Sequence, residues 1–297
     1  MRTRLDELEV VATAARLPAE GDTVRVPLAR SGPRGRGTHV DLPAFESDPR
    51  GHPGLPAHLR RRIDRFSAVA YLAIEAVLSA LPPGQRPERD RIGVFLANTR
   101  AGWAYGEPEL GLLVDEGPAA MHAYQATAWF PAAAQGEVTI ALDLRGCAKT
   151  TAGRASGFGE ALWLARDALE RGAVDLAVVG AVESLVNGFV LRDWPVTGPL
   201  PTGGAAEGAV MFTLRRPTAQ PALLLRDLRH GEPTGHLDSH LGHLDLDWVP
   251  TLSAADRLRA ITDRRGDTTG EETAVPLGGG YWITVNHPTR TTTKENL

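Results

Sequence analysis

Apolar and polar positions follow two different periods along the chain. Leu8–Ala12 (LEVVA) is a short apolar run suited to a buried strand, and Ile92–Ala97 (IGVFLA) is a nearly continuous one between polar flanks, as expected of a strand covered on both faces. Asp175–Val182 (DLAVVGAV) is a third, while Gly208–Leu214 (GAVMFTL) and Pro221–Leu228 (PALLLRDL) predict an adjacent pair. Helical spacing alternates with these runs. Arg60–Leu81 puts Ala70, Ala73, Val77 and Leu81 on one face and stops at Pro82 and Pro83; Gly157–Arg171 turns Leu162, Ala165 and Leu169 inward and closes at Gly172. Ala119–Ala134 is expected to be helical with a break at Pro131, and Thr251–Ile261 to form a helix capped by Ser253. Ala274–Asn286 reads as a glycine turn feeding a strand. Strands alternating with helices predict a layered α/β fold.

The stretch Gly136–Glu183 is expected to run strand, tight turn, helix, strand. Its middle, Thr151–Gly159, concentrates small residues where a strand gives way to an amphipathic helix, the position at which α/β enzymes often hold a nucleophile. Ser156 stands there, but Arg154 and Phe158 replace the flanking glycines of a hydrolase GxSxG frame. Arg30–Leu59, rich in Pro, Gly and Arg, predicts extended surface structure. Trp103, Tyr105, Tyr124, Trp129 and Phe130 form the aromatic region, suited to core packing or to contact with an acyl chain or a partner.

Composition narrows the function classes. With 42% hydrophobic and 23% charged residues in 297, the chain is ordinary for a globular protein, and no apolar run approaches the roughly 20 residues of a membrane span. A formal net charge of -4 gives no basic footprint for nucleic acid. The single cysteine, Cys147, excludes an internal disulfide framework and thiolate-rich metal clusters, which fits a reducing cytoplasm. The N-terminus lacks the apolar core of a secretory signal, and the polar end TRTTTKENL, with ENL as a possible tag remnant, is set outside the fold. His236, His240 and His243 fall at i, i+4 and i+7 with Asp238, Asp245 and Asp247 nearby, but Gly235 and Gly242 weaken the helix this spacing needs, so no metal or other cofactor is assigned.

Five segments in order resemble the β-ketoacyl synthase branch of the thiolase superfamily, from about Leu8 to Leu228. RRIDRFSAVAYLAIEAV resembles the family's RRMDRF helix, RIGVFLANTRAG its RVGVVVGT strand and turn, and GEVTIALDLRG its GQVAIRFGLRG. ALERGAVDLAVVGAVES resembles IRxGxADxAxAGGxE, and GPLPTGGAAEGAVMFTLRR is similar to a shortened RPFDxxRDGFVxGEGAxVLVLE. The resemblance implies a thiolase-like layered α-β-α-β-α fold with a shortened C-terminal half: a ketosynthase-like half over 1–228, a short second half over 229–288, and a tail over 289–297.

Counting from GEVTIALDLRG forward, and from Gly172 back, places the family's nucleophilic cysteine at Ala155, which has no atom for a thioester. Cys147 falls eight residues earlier, at the family's usual proline, and reads as an ordinary small residue. His243 aligns with a family histidine, without the accompanying lysine. The gatekeeper phenylalanine falls near Gly203, and Phe158 stands where the family prefers glycine. Glu183 and Glu207 sit at positions that are structural in the family. The resemblance thus implies a catalytically degenerate subunit, like the chain length factors of type II polyketide or aryl polyene systems. Such a subunit pairs with an active ketosynthase and works on chains carried by an acyl carrier protein. Gly157, Phe158, Trp129, Phe130 and Gly203 are the candidate tunnel or partner contacts. Pairing is expected at a sheet edge and the elbow, DLAVVGAV being an apolar strand that needs its edge covered. The alternatives are an acyltransferase, thioesterase or decarboxylase on acyl-carrier thioesters, working through Ser156 or the histidines, and a homodimeric binding protein.

Overall fold

The computed structural model describes residues 6–27, 39–122, 130–153, 155–186, 206–231, 250–263 and 272–288. The apolar runs become the centre of one sheet. β4 (Ile92–Ala97) and β6 (Leu176–Ser184) are buried at every position and pair in parallel. Along β4, Ile92, Val94 and Leu96 enter one core and Phe95 and Ala97 the other, the two-residue alternation of a strand with both faces covered. β5 (Ala148–Thr151) lies parallel to β4 on its far side. β7 (Glu207–Arg215) runs antiparallel to β6, and β1 (Glu7–Arg16) antiparallel to β7. β8 (Leu224–His230), β10 (Tyr281–Asn286) and β9 (Glu272–Gly278) follow, giving the order β5-β4-β6-β7-β1-β8-β10-β9. A separate ribbon pairs β2 (Thr23–Pro27) with β3 (His39–Pro43) inside the stretch expected to be extended.

Two strand expectations change here. GAVMFTL and PALLLRDL are not neighbours: β1 comes between them, because its ten residues offer both edges, one to β7 and the other to β8. DLAVVGAV is not an edge strand either. As β6 it is bonded on both sides, and the edges of the sheet among the described strands are β5 and β9.

Helices cover both faces. After a single turn, α1 (Ala57–Arg60), α2 spans Arg65–Ser79. It starts at Arg65, not Arg60, because the Asp64 side chain accepts the Phe66 and Ser67 amides, each at 3.2 Å, and so fixes the N-cap. From Phe66 to Ile74 every residue is buried, so α2 is a core helix, not a one-faced one. Asp64→Ala is expected to lower stability by about 1–2 kcal/mol, seen as a shifted urea midpoint.

α3 (Trp103–Glu116) follows. The stretch from Gly136, expected to open the elbow region as a strand, instead belongs to α4 (Ala133–Ala141). Ala134 and Val138, four apart, are buried in the core that α2 fills, whereas Ile140 is 72% exposed, so the apparent alternation does not describe a buried face. Thr139 bonds back to the Gln135 carbonyl, a helical contact for a β-branched residue. The expected helix over Ala119–Ala134 is replaced at its start by a short 3-10 turn, Pro118–Ala120. The strand that leads into the elbow is the polar AKTT of β5.

α5 (Gly157–Glu170) and α6 (Pro250–Thr262) pack on the opposite sheet face from α2. Ser253 lies inside the first turn of α6, behind Pro250, which suits an initial helical position; it is not the cap. Gly279 and Gly280, with φ of +55° and +79°, make the two-residue turn of the β9–β10 hairpin. Among the described residues no helix is long and apolar enough to cross a membrane.

Candidate functional site: the elbow between β5 and α5

The elbow lies at the carboxyl ends of the parallel strands β4, β5 and β6, where open α/β sheets present their ligand crevices. Thr151, the last residue of β5, fastens it. Its hydroxyl donates to the Gly157 carbonyl at 2.7 Å, with the Leu96 carbonyl at 3.3 Å, and its own carbonyl accepts the Asn98 amide at 3.0 Å. Strand end and helix start are thereby tied to the neighbouring strand.

Ala155, half-buried, stands just before the helix, and its methyl group offers no atom for nucleophilic attack. Ser156 follows at the N-cap of α5. Its hydroxyl does not cap the helix backbone but donates to Glu160 Oε1 at 2.6 Å. Glu160 lies in the first turn, where the helix dipole favours a carboxylate. Among the described contacts, then, the serine has a carboxylate partner, not an imidazole, whereas an activated serine needs a base oriented by a third group.

The C-terminal hairpin closes on this apex, which the sequence reading did not anticipate. A Cβ on Gly279 would lie 2.5 Å from Ser156 Cβ and 2.8 Å from its backbone nitrogen, so only glycine fits this approach. One turn along α5, a Cβ on Gly159 would strike Tyr281 Cγ at 2.4 Å, so the Tyr281 ring lies flush on the helix. Burial, and then the Glu160 charge, push the Tyr281 hydroxyl above its ordinary pKa. His230 stacks edge-on against the same ring, centroids 5.0 Å apart. The triple glycine at 278–280 was a visible signal for a tight turn, but nothing local tied it to Ser156. Glu160 was within reach of sequence reasoning through its i, i+4 spacing from Ser156.

Phe158 turns away from the apex. It is fully buried in the core beneath α5, its ring 6.0 Å from Phe212. Gly157 is the first residue of α5 and has helical backbone, whereas the positive φ beside the elbow falls at Gly279. Phe130 is 54% exposed before α4, accessible to a partner. Cys147 sits half-buried just before β5, its carbonyl accepting the Val94 amide. Four residues of strand, about 13 Å, separate it from Thr151 at the elbow end, so it is not a displaced nucleophile. Arg166 of α5 is 95% buried, donates to the Leu228 carbonyl and lies 4.1 Å above the Trp163 ring, tying the helix to β8. Glu183 and Glu207 are both fully buried, and Glu207 is held by Arg65 and Ser184, as suits a structural role. Trp129, Gly203, His236, His240 and His243 lie outside the described residues.

Known proteins resemble this chain in sequence and in fold. The model of the β-ketoacyl synthase N-terminal domain matches residues 40–200. The tetracenomycin polyketide synthase ketoacyl synthase beta subunit of Streptomyces glaucescens is 28% identical over 183 residues, 61% of this chain and 42% of that protein. The chain thus matches less than half the length of that relative. Among solved structures, the ishigamide ketosynthase/chain length factor superposes with a TM-score of 0.65 at 17% identity, covering 94% of this chain and 98% of that one. A type II polyketide ketosynthase in complex with its acyl carrier protein, bound to the hexaketide, gives a TM-score of 0.54 at 23% identity, covering 73% and 64%. These structures share the fold: a thiolase-like α/β architecture on a large mixed sheet.

Proposed function

The chain belongs to the β-ketoacyl synthase family, and from that membership we propose that it is a catalytically degenerate, chain length factor-like subunit. It pairs with an active ketosynthase in the cytoplasm and shapes the space in which a chain on an acyl carrier protein grows. The observation that carries this reading is the elbow itself: the strand, turn and helix are intact, the apex is Ala155, and the neighbouring hydroxyl is engaged by Glu160. The similarity to a protein named as a ketoacyl synthase beta subunit, and the fold shared with a ketosynthase/chain length factor, point the same way. β5 supports pairing beside the elbow, since among the described strands it has β4 on one side and none on the other. Phe130, exposed near α4, suits contact with the partner.

Two results follow. Expressed together with a ketosynthase that retains its elbow cysteine, the chain co-purifies with it, and condensation requires both proteins. Ala155→Cys, assayed as the lone chain, is expected to form no condensation product, because among the described residues no imidazole is bonded to the elbow and an unactivated thiol is a poor nucleophile at neutral pH. Product from the lone mutant would contradict this expectation, and acylation of the lone wild type that Ser156→Ala abolishes would favour the serine-enzyme reading instead.

A further inference from the structure

On the face of the sheet opposite α5, α2 and the loop that follows β3 line an open-sided cavity of about 470 Å³. This lies within the volume range of small-molecule sites. Val69 and Leu72, three apart on α2, form one wall, and Phe45, Pro49 and Pro53 the other. The Phe45 wall is fixed by construction: its amide donates to Glu207 Oε2 at 3.2 Å and its carbonyl accepts Arg65 Nη2 at 2.6 Å.

The polar groups that line it are unequal. Asp48 is engaged by Arg50 through its side chain, Nη2 at 2.6 Å, and through its amide at 2.9 Å, so its charge is compensated. Arg16, at the end of β1, lines the cavity and makes no ion pair among the described residues. The His52 Nδ1 accepts the Gly54 amide at 3.0 Å, which leaves Nε2–H as a donor in the neutral ring. An apolar cavity lined by Arg16 and His52, residues that carry a guanidinium and an imidazole, suits an apolar molecule with an anionic head.

We propose that this cavity binds a small amphiphile, an apolar tail with a carboxylate head, the tail against Leu72 and Phe45 and the head on Arg16. The site is separate from the elbow and requires no acylation of the protein. Titration of the full chain with decanoate, followed by calorimetry, is expected to show saturable one-to-one binding, with decanol binding more weakly. Arg16→Gln is expected to weaken decanoate about tenfold while leaving decanol unchanged, since one charge-assisted hydrogen bond is lost. Leu72→Trp, which fills the chamber, abolishes both. Arg16→Gln sits at a strand end and keeps the test open should Leu72→Trp fail to fold. Absence of saturable decanoate binding to the wild type, an equal loss for both ligands in Arg16→Gln, or decanoate affinity unchanged in both variants overturns the proposal.

Discussion

Replacing Glu207 with alanine is expected to lower the unfolding free energy by about 3–5 kcal/mol, the usual cost of stranding one member of a buried ion pair. The carboxylate is fully buried at the start of β7 and every part of it is used. Oε1 accepts from Arg65 and, at 2.8 Å, from Ser184 of β6; Oε2 accepts from Arg65 Nη2 at 2.6 Å and from the Phe45 amide at 3.2 Å. Removing it leaves a guanidinium that is only 20% exposed without its counter-charge, together with unpaired donors from β6 and from the loop after β3. Urea denaturation should show a lower midpoint at unchanged slope, and Glu207→Gln, which keeps the shape and one acceptor, should fall between mutant and wild type. A loss below about 1 kcal/mol would show that the network is not a structural anchor.

Gly279→Val carries the second large effect. A β-branched residue at φ +55° is strained by about 1–3 kcal/mol on backbone grounds alone, and its Cβ would fall 2.5 Å from Ser156 Cβ. The hairpin must therefore leave the elbow or the helix start must shift. Gly280→Ala is the control: its Cβ would meet only the rim of the exposed His230 ring, at 3.1 Å. The valine mutant is expected to lose markedly more stability than the alanine one and to become cleavable by protease at the hairpin. Equal stability of the two variants would mean that the hairpin does not seat on Ser156.

Much of this architecture could be read from residue patterns alone, and the failures share a cause. β4, β6, β7 and α5 declare themselves because burial on both faces, or on one helical stripe, leaves continuous apolar runs or a 3.6-residue period. β5 does not, because an edge strand of four residues ending at a polar elbow has no need of apolar side chains. The strand expected at the start of Gly136–Glu183 is instead the end of α4, with Ala134 and Val138 against the core that α2 fills. The insertion of β1 between β7 and β8 depends on pairing across some two hundred residues, which local pattern does not encode.

The candidate site divides in the same way. Ala155 and Phe158 lie between two motifs close in sequence, so counting from either one reaches them. The residues that finish the site, Gly279 and Tyr281, arrive from a hairpin more than a hundred positions away. The partner of Ser156, Glu160, lies four residues along the same helix. Glu207, read as structural, has that role in full.

The central claim is that the elbow keeps its shape without its chemistry, and intact-protein mass spectrometry tests it most directly. The purified pair of this chain and a cysteine-bearing ketosynthase is incubated with an acyl-carrier thioester and each subunit is weighed. The ketosynthase is expected to gain a single acyl group while this chain keeps its unmodified mass, in wild type and in Ser156→Ala alike. A stoichiometric acyl adduct on this chain, lost in Ser156→Ala, would contradict the account.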